Sequence, residues 1–147
     1  MIRIKAVDAQ NILAVCELTT DQDSIGMTMK GHPCCNAISI AETKYNSEMY
    51  PNAIYNNNVL IGFFMYKRTE HQAETATICR LMVDDRFQGL EEKALEHILR
   101  GLKIQGVKKV VIIIDNVNEK AKNLYLSFGF HFTGKIDHGE YYYELEL

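Results

Sequence analysis

The sequence predicts an α/β (α+β) fold, a mixed β-sheet with helices on both faces. Two observations carry this. Early in the chain, three strand-like segments follow one another with only short turns between them. Later, strand and helix patterns alternate as β-α-β-α before a closing hairpin. At 147 residues and 47% hydrophobic composition, the chain is sized for one domain with a substantial core, and no repeat or linker divides it. Residues 1–147 are therefore expected to form a single domain.

The elements follow in order. "IRIKAV" (Ile2 to Val7) alternates with period two and reads as a strand. Asp8 is placed to cap the next segment, "AQNILAVCEL", with Ile12, Leu13, Val15 and Cys16 as its apolar face. Residues 21–34 carry Gly26, Gly31 and Pro33 and read as an irregular connection. "NAISIAETKYN" is a short helix with Ile38, Ala41 and Tyr45 at helical spacing. In "NAIYNNNVLIGFFMYKR", two apolar runs flank Asn56-Asn57-Asn58; asparagine tolerates positive φ, so a hairpin is expected. "ETATICRLMVDD" (Glu74 to Asp85) is a further strand. Residues 89–104 hold Ala94, Leu95, Ile98, Leu99 and Leu102 in a helical stripe that Gly106 ends. "KKVVIIID" has five consecutive apolar residues and is expected to be covered on both faces. "NEKAKNLYLSF" is a helix capped by Asn118 and ended by Gly129, and the strands flanking Gly139 close the chain. The order is β-α-α-β-β-β-α-β-α-β-β.

Composition excludes several functions. A net charge of −3 gives no global positive field for nucleic acid. The longest wholly apolar run, Val110 to Ile114, is too short to span a bilayer, and the start of the sequence has no apolar targeting core. Cys16, Cys34, Cys35 and Cys79 lack paired metal spacing, and "HPCCN" (His32 to Asn36) has no second ligand pair. A cytoplasmic, reduced protein without metal, membrane or nucleic-acid partner is expected.

Two motifs carry a specific resemblance. "LMVDDRFQG" (Leu81 to Gly89) is an apolar strand, an acidic break and Gln-Gly opening a helix. "NEKAKNLYLSFGF" (Asn118 to Phe130) fits Asn-x-x-Ala-x-x-Leu-Tyr-x-x-x-Gly-Phe. With the strand order, both resemble the GNAT superfamily of N-acetyltransferases across the whole chain. The C-terminal "FGFHFTGKIDHGEYYYELEL" is similar in style to bacterial diamine and spermidine acetyltransferases. The resemblance implies a splayed sheet and a single N-acetyltransferase-like domain. It implies acetyl-CoA as co-substrate, a small-molecule primary amine as acceptor, with a polyamine as one candidate, and direct attack in a ternary complex. Family members often dimerise, so a homodimer is one expected state.

The same resemblance implies site residues. Leu81, Met82 and Val83 would lie along the pantetheine arm, whose amides pair with an open strand edge as an added strand does. Gln88, Gly89, Leu90, Glu91 and Glu92 would surround the pyrophosphate at a helix N-terminus, where amides and dipole favour an anion. Asn118 would contact the cofactor as well as cap its helix. Tyr125 would be the general acid that reprotonates the departing thiolate, a role a phenol protonated at neutral pH can fill. Packing with Leu124 and Phe128 is its plain alternative. By residue type alone, Glu74, Asp84, Glu42 and Asp23 are candidates for the base. For a cationic acceptor, Asp21, Asp23, Glu42 and Glu48 supply carboxylates, and Arg80, Lys30 and Lys44 oppose them.

The loop departs from the family pattern Gln-Gly-x-Gly-x-Gly/Ala. Gln88-Gly89 is followed by Leu90-Glu91-Glu92-Lys93-Ala94-Leu95, two residues short, with Glu91 where the last glycine falls. A carboxylate there competes for the dipole that pyrophosphate would use. Two like charges ~5 Å apart at an effective dielectric near 20 repel by roughly 3 kcal/mol. Lys93 is placed to offset part of this. Two readings stand: an N-acetyltransferase, or a non-catalytic, weakly CoA-binding regulatory protein on the same scaffold.

Overall fold

The computed structural model describes residues 1–19, 36–115 and 119–147. The strands are β1 (Ile2–Ala6), β2 (Met49–Asn56), β3 (Val59–Lys67), β4 (Thr75–Val83), β5 (Lys109–Asp115), β6 (His131–Asp137) and β7 (Glu140–Glu146). The helices are α1 (Ile12–Glu17), α2 (Asn36–Glu42), α3 (Glu91–Ile104) and α4 (Glu119–Ser127). Their order is the expected one. The irregular reading of residues 21–34 and the cap at Asn118 lie outside the described residues.

The strands form one seven-stranded sheet in the order β1-β2-β3-β4-β5-β7-β6. Neighbours are antiparallel except β4 and β5, which are parallel. The β2–β3 hairpin turns at Asn57 (φ 51°) and Asn58 (φ 70°), the left-handed pair that asparagine tolerates. The final hairpin turns at His138 and Gly139, both at positive φ.

Two buried clusters cover the sheet's faces. The larger joins Ala94, Leu95, Ile98, Leu99 and Leu102 of α3 and Tyr125 of α4 to Ile54, Phe64, Ile78, Val110, Ile112 and Ile114. The expected stripe of α3 is therefore the buried one. The smaller joins Val15 and Leu18 to Ala53, Phe63, Met65 and Met82. Among the described residues, no helix is long and apolar enough to cross a membrane.

Four expectations are corrected. Leu13 of α1 is exposed, and the helix is held by fully buried Val15, followed by Leu18. On α2, Ile38 is exposed, as are Ala41 and, beyond the helix, Tyr45; the inward residues are Asn36 and Ser39. Asn36 explains the inversion: its Nδ2 donates to Val15 O at 2.9 Å and its Oδ1 accepts from Arg80 Nε at 3.1 Å. One polar side chain thus ties α2 to α1 and β4, and satisfied polar groups are stable inside. On β5, only alternate residues are buried: Val110, Ile112 and Ile114 face α3 and α4, whereas Val111 and Ile113 are half-buried. Apolar composition alone does not distinguish one covered face from two. Asp8 caps the approach to α1 rather than the helix itself: its Oδ1 accepts from Gln10 N and Asn11 N, both at 2.9 Å.

Gly62 sets the spacing of the sheet's centre. It pairs with Val83, and a Cβ placed on it would lie 2.4 Å from Met82 O. No residue but glycine lets β3 come this close to β4. Gly62→Ala is expected to destabilise the fold by about 2–3 kcal/mol in urea unfolding. It is also expected to weaken ligand binding along β4, because the Met82–Val83 backbone must shift.

Candidate active site

The sheet opens at its middle. β4 and β5 pair only from Thr75↔Lys109 to Ile78↔Ile112. β4 continues to Val83 and β5 to Asp115, and over Ile113–Asp115 β5 pairs only with β7. The cause lies one residue past the last shared rung. Met65 pairs with Arg80 and Tyr66 with Ile78, so Cys79 is an extra residue in β4. A bulge bends its strand and ends regular pairing.

Beyond the bulge, alternation decides which backbone groups face the opening. Asp84 N donates to Ile61 O at 2.8 Å, across to β3. Met82, two residues earlier, therefore turns its backbone to β3 as well, and Leu81 and Val83 turn theirs to the gap. The Met82 side chain is buried in the cluster with Val15 and Leu18, where its sulfur accepts from Asn36 Nδ2 at 3.7 Å.

At the top of β4 the chain makes a short 3₁₀ turn (Asp85–Phe87) and passes through Gly89 at φ +101° into α3. Gln88 Nε2 donates to Val83 O at 3.0 Å and folds the loop back over the strand end. Glu91 does not turn into solvent. Its Oε2 accepts from Gly89 N at 2.7 Å, and its Oε1 lies 3.6 Å from Lys120 Nζ in the first turn of α4. Lys120 also donates to Gln88 Oε1 at 2.7 Å. The expected repulsion is thus met by Lys120 rather than Lys93, which is exposed, as is Glu92. Leu90 packs against the main core.

Tyr125 is 6% exposed, in the same cluster as Ile78 and Ile112, the last rung before the gap. Its ring meets Phe130 edge-on, with centroids 5.6 Å apart. Burial pushes the phenol well above its ordinary value, so it is protonated at neutral pH. Phe130 N and Gly129 N donate to Tyr125 O and Leu126 O, closing α4 on Gly129 at φ +96°. Asn118 lies outside the described residues.

The carboxylates offered as bases separate clearly, apart from Asp23, which is outside the described residues. Asp84 is 3% exposed and fully engaged: it accepts from Thr19 N at 3.0 Å, Arg86 N at 3.0 Å and Arg86 Nε at 2.8 Å. Burial works to raise its carboxyl, but these bonds outweigh burial and hold it below the ordinary value. It is a structural anion. Glu74 precedes β4 at the closed end of the β4–β5 pair and is exposed beside Lys108, 3.2 Å away. Glu42 ends α2, and its charge acts on the Cys79 thiol at the bulge. Cys79 is open to solvent, yet the chain around it desolvates its thiol; with a smaller push from Glu42, against Lys67, the pKa rises to about 11. Among the described residues no group of three His, Cys, Asp or Glu side chains could hold a metal.

Sequence reasoning missed Lys120 and the bulge at Cys79. Lys120 did leave a signal, since a lysine in the first turn of a helix opposes the dipole. The bulge left none, because it depends on register with β3.

A bulged parallel strand pair parts in front of a helix N-terminus, with a buried tyrosine behind the last rung. The acetyltransferase (GNAT) family model matches residues 12–130, and the chain belongs to that family. Its enzyme class is accordingly that of an N-acetyltransferase. It is 28% identical over 144 residues to the spermine/spermidine N(1)-acetyltransferase of Bacillus subtilis strain 168, covering 92% of this chain and 91% of that protein. The fold matches an acetyltransferase from Thermus thermophilus at TM-score 0.76 with 19% identity, over 99% of this chain and 97% of that one. It also matches the PaiA N-acetyltransferase of Thermoplasma acidophilum, solved with coenzyme A, at TM-score 0.72 with 15% identity, over 100% and 99% of the chains.

Asp84→Asn is expected to cost about 2 kcal/mol at neutral pH, because bonds to a charged acceptor are replaced by bonds to a neutral one. A carboxyl depressed in the folded state stabilises fully above its unfolded value of about 3.9 and loses this as pH falls through the lower folded value. Urea titrations from pH 7 to pH 2 should therefore show the gap between wild type and variant closing below about pH 4.

Proposed function

We propose that this protein transfers an acetyl group from acetyl-CoA to a primary amine by direct attack. The observation that carries the proposal is the parting of β4 from β5 directly after the Cys79 bulge, with Leu81 and Val83 turned toward the gap. Acetyl-CoA would bring the activated thioester. The chain's own residues would do the rest. The backbone of Leu81 and Val83 would pair with the amides of the pantetheine arm. Gln88, Gly89, Leu90, Glu91 and Glu92 would border the pyrophosphate, and Asn118 would reach the cofactor from the start of α4. Tyr125, protonated at neutral pH, would give its proton to the departing sulfur. Glu42 would take the proton from the acceptor ammonium, directly or through a water, because it is the base candidate whose charge reaches the bulge.

Direct attack is favoured by Cys79. The thiolate is the nucleophilic form of cysteine, and a thiol with pKa about 11 stays protonated near neutral pH. An acyl-cysteine relay at the bulge is therefore disfavoured. A polyamine acceptor is supported by the resemblance to the Bacillus subtilis enzyme and by the carboxylates Glu42 and Glu48 near α2. A second reading, a non-catalytic or weakly CoA-binding regulatory protein on this scaffold, draws on the short acidic loop in which Glu91 already holds the Gly89 amide. The setting proposed is cytoplasmic, as a monomer or homodimer.

Purified protein with acetyl-CoA and a panel of polyamines, amino acids and aminoglycosides tests this. Thiol release with spermidine or spermine is expected, and silence across the panel would sink the enzyme reading. Tyr125→Phe should lower kcat about a hundredfold with little change in KM for acetyl-CoA, measured by thiol release. Glu42→Gln should lower kcat at least about tenfold at pH 7 and recover part of it at higher pH, where more of the acceptor is already neutral.

A further inference from the structure

The loop between β4 and α3 holds an anion of its own. At the start of α3, two donors converge on the Glu91 carboxylate, the Gly89 amide and the Lys120 ammonium, and Lys120 also donates to the Gln88 side-chain oxygen. Glu91 puts one carboxylate oxygen on the amide at 2.7 Å and the other 3.6 Å from the ammonium. That is the bonding a phosphate oxygen would make at a helix N-terminus with a nearby cation.

We infer that Glu91 is a resident counter-anion of the pyrophosphate site, and that Lys120 is the cation the pyrophosphate takes over when Glu91 is displaced. The inference rests on the reading that this loop receives the cofactor's pyrophosphate. Three features fit an exchange rather than a permanent structural bond. The Lys120 side chain is 60% exposed, so it can follow a new partner. Glu91 holds the amide through a single side-chain oxygen, so rotating that side chain releases it. Gly89 has nothing within 4 Å of where a Cβ would stand, so the loop is open on that side of the glycine, while its amide points at Glu91. Nearby Glu92, Lys93 and Glu119 are exposed and do not enter the contact. Lys120 sits at the unfavourable end of the α4 dipole, a placement that an anion on its ammonium offsets.

Cofactor loading is then an anion exchange. The incoming pyrophosphate gains the Gly89 amide and Lys120 only by displacing Glu91, so affinity is set below what the loop offers. Calorimetry of the full chain with CoA and with dephospho-CoA tests this. Glu91→Ala and Glu91→Gln should each bind both ligands about tenfold more tightly, and Lys120→Ala should bind both about tenfold more weakly. Circular dichroism melts confirm that the variants are folded. Wild type and Glu91→Ala binding CoA within twofold of each other would overturn the inference alone. A gain seen with CoA but not with dephospho-CoA would also overturn it, since Lys120 would then answer to the 3′-phosphate. No CoA binding by either protein would overturn the inference together with the cofactor reading beneath it.

Discussion

The bulge at Cys79 is the constraint on which the rest of the structure depends. A parallel pair that ran its full length would close the sheet between β4 and β5. One extra residue in β4 ends the pairing after Ile78 and Ile112. The opening is held from both sides. On one flank, Gly62 lets β3 approach the Met82–Val83 backbone closely, and β4 stays paired with β3 beyond the bulge. On the other, β5 keeps its bonds to β7. The gap is therefore flanked by strands that are each held on their far side, with backbone groups of Leu81 and Val83 turned into it.

Around this gap the two faces have different work. The α3–α4 face is apolar and tightly filled, and it places Tyr125 behind the last shared rung with its proton secured by burial. The α1–α2 face is held by a smaller cluster and by Asn36, a polar link between helix and strand. An amine acceptor needs a polar approach, and Glu42 lies on this side. Asp84 shows the opposite use of charge: buried, bonded three times and kept ionised, it anchors the turn that carries the loop toward α3.

The loop itself turns a sequence anomaly into a structural answer. Two carboxylates at a helix start, where a phosphate is expected, read as a defect when only the local chain is considered. In the folded protein one of them occupies the amide and pairs with a lysine 29 residues away in sequence, and the other is exposed. The Gly89 amide and the Lys120 ammonium are both met within the chain by Glu91.

The sequence by itself determined the order of elements, the buried stripe of α3, the Asn57–Asn58 turn and the strand-to-helix junction between β4 and α3. These follow from local periodicity and from glycine and asparagine conformational freedom. It misassigned the inward faces of α1 and α2 and the cover on β5, because apolar residues indicate burial without saying which neighbour is present. Only the tertiary structure decided the bulge, the backbone alternation that turns Leu81 and Val83 toward the gap, and the pairing of Glu91 with Lys120. Each of these is a relation between segments distant in the chain, fixed by strand register or by the packing of one helix start against another.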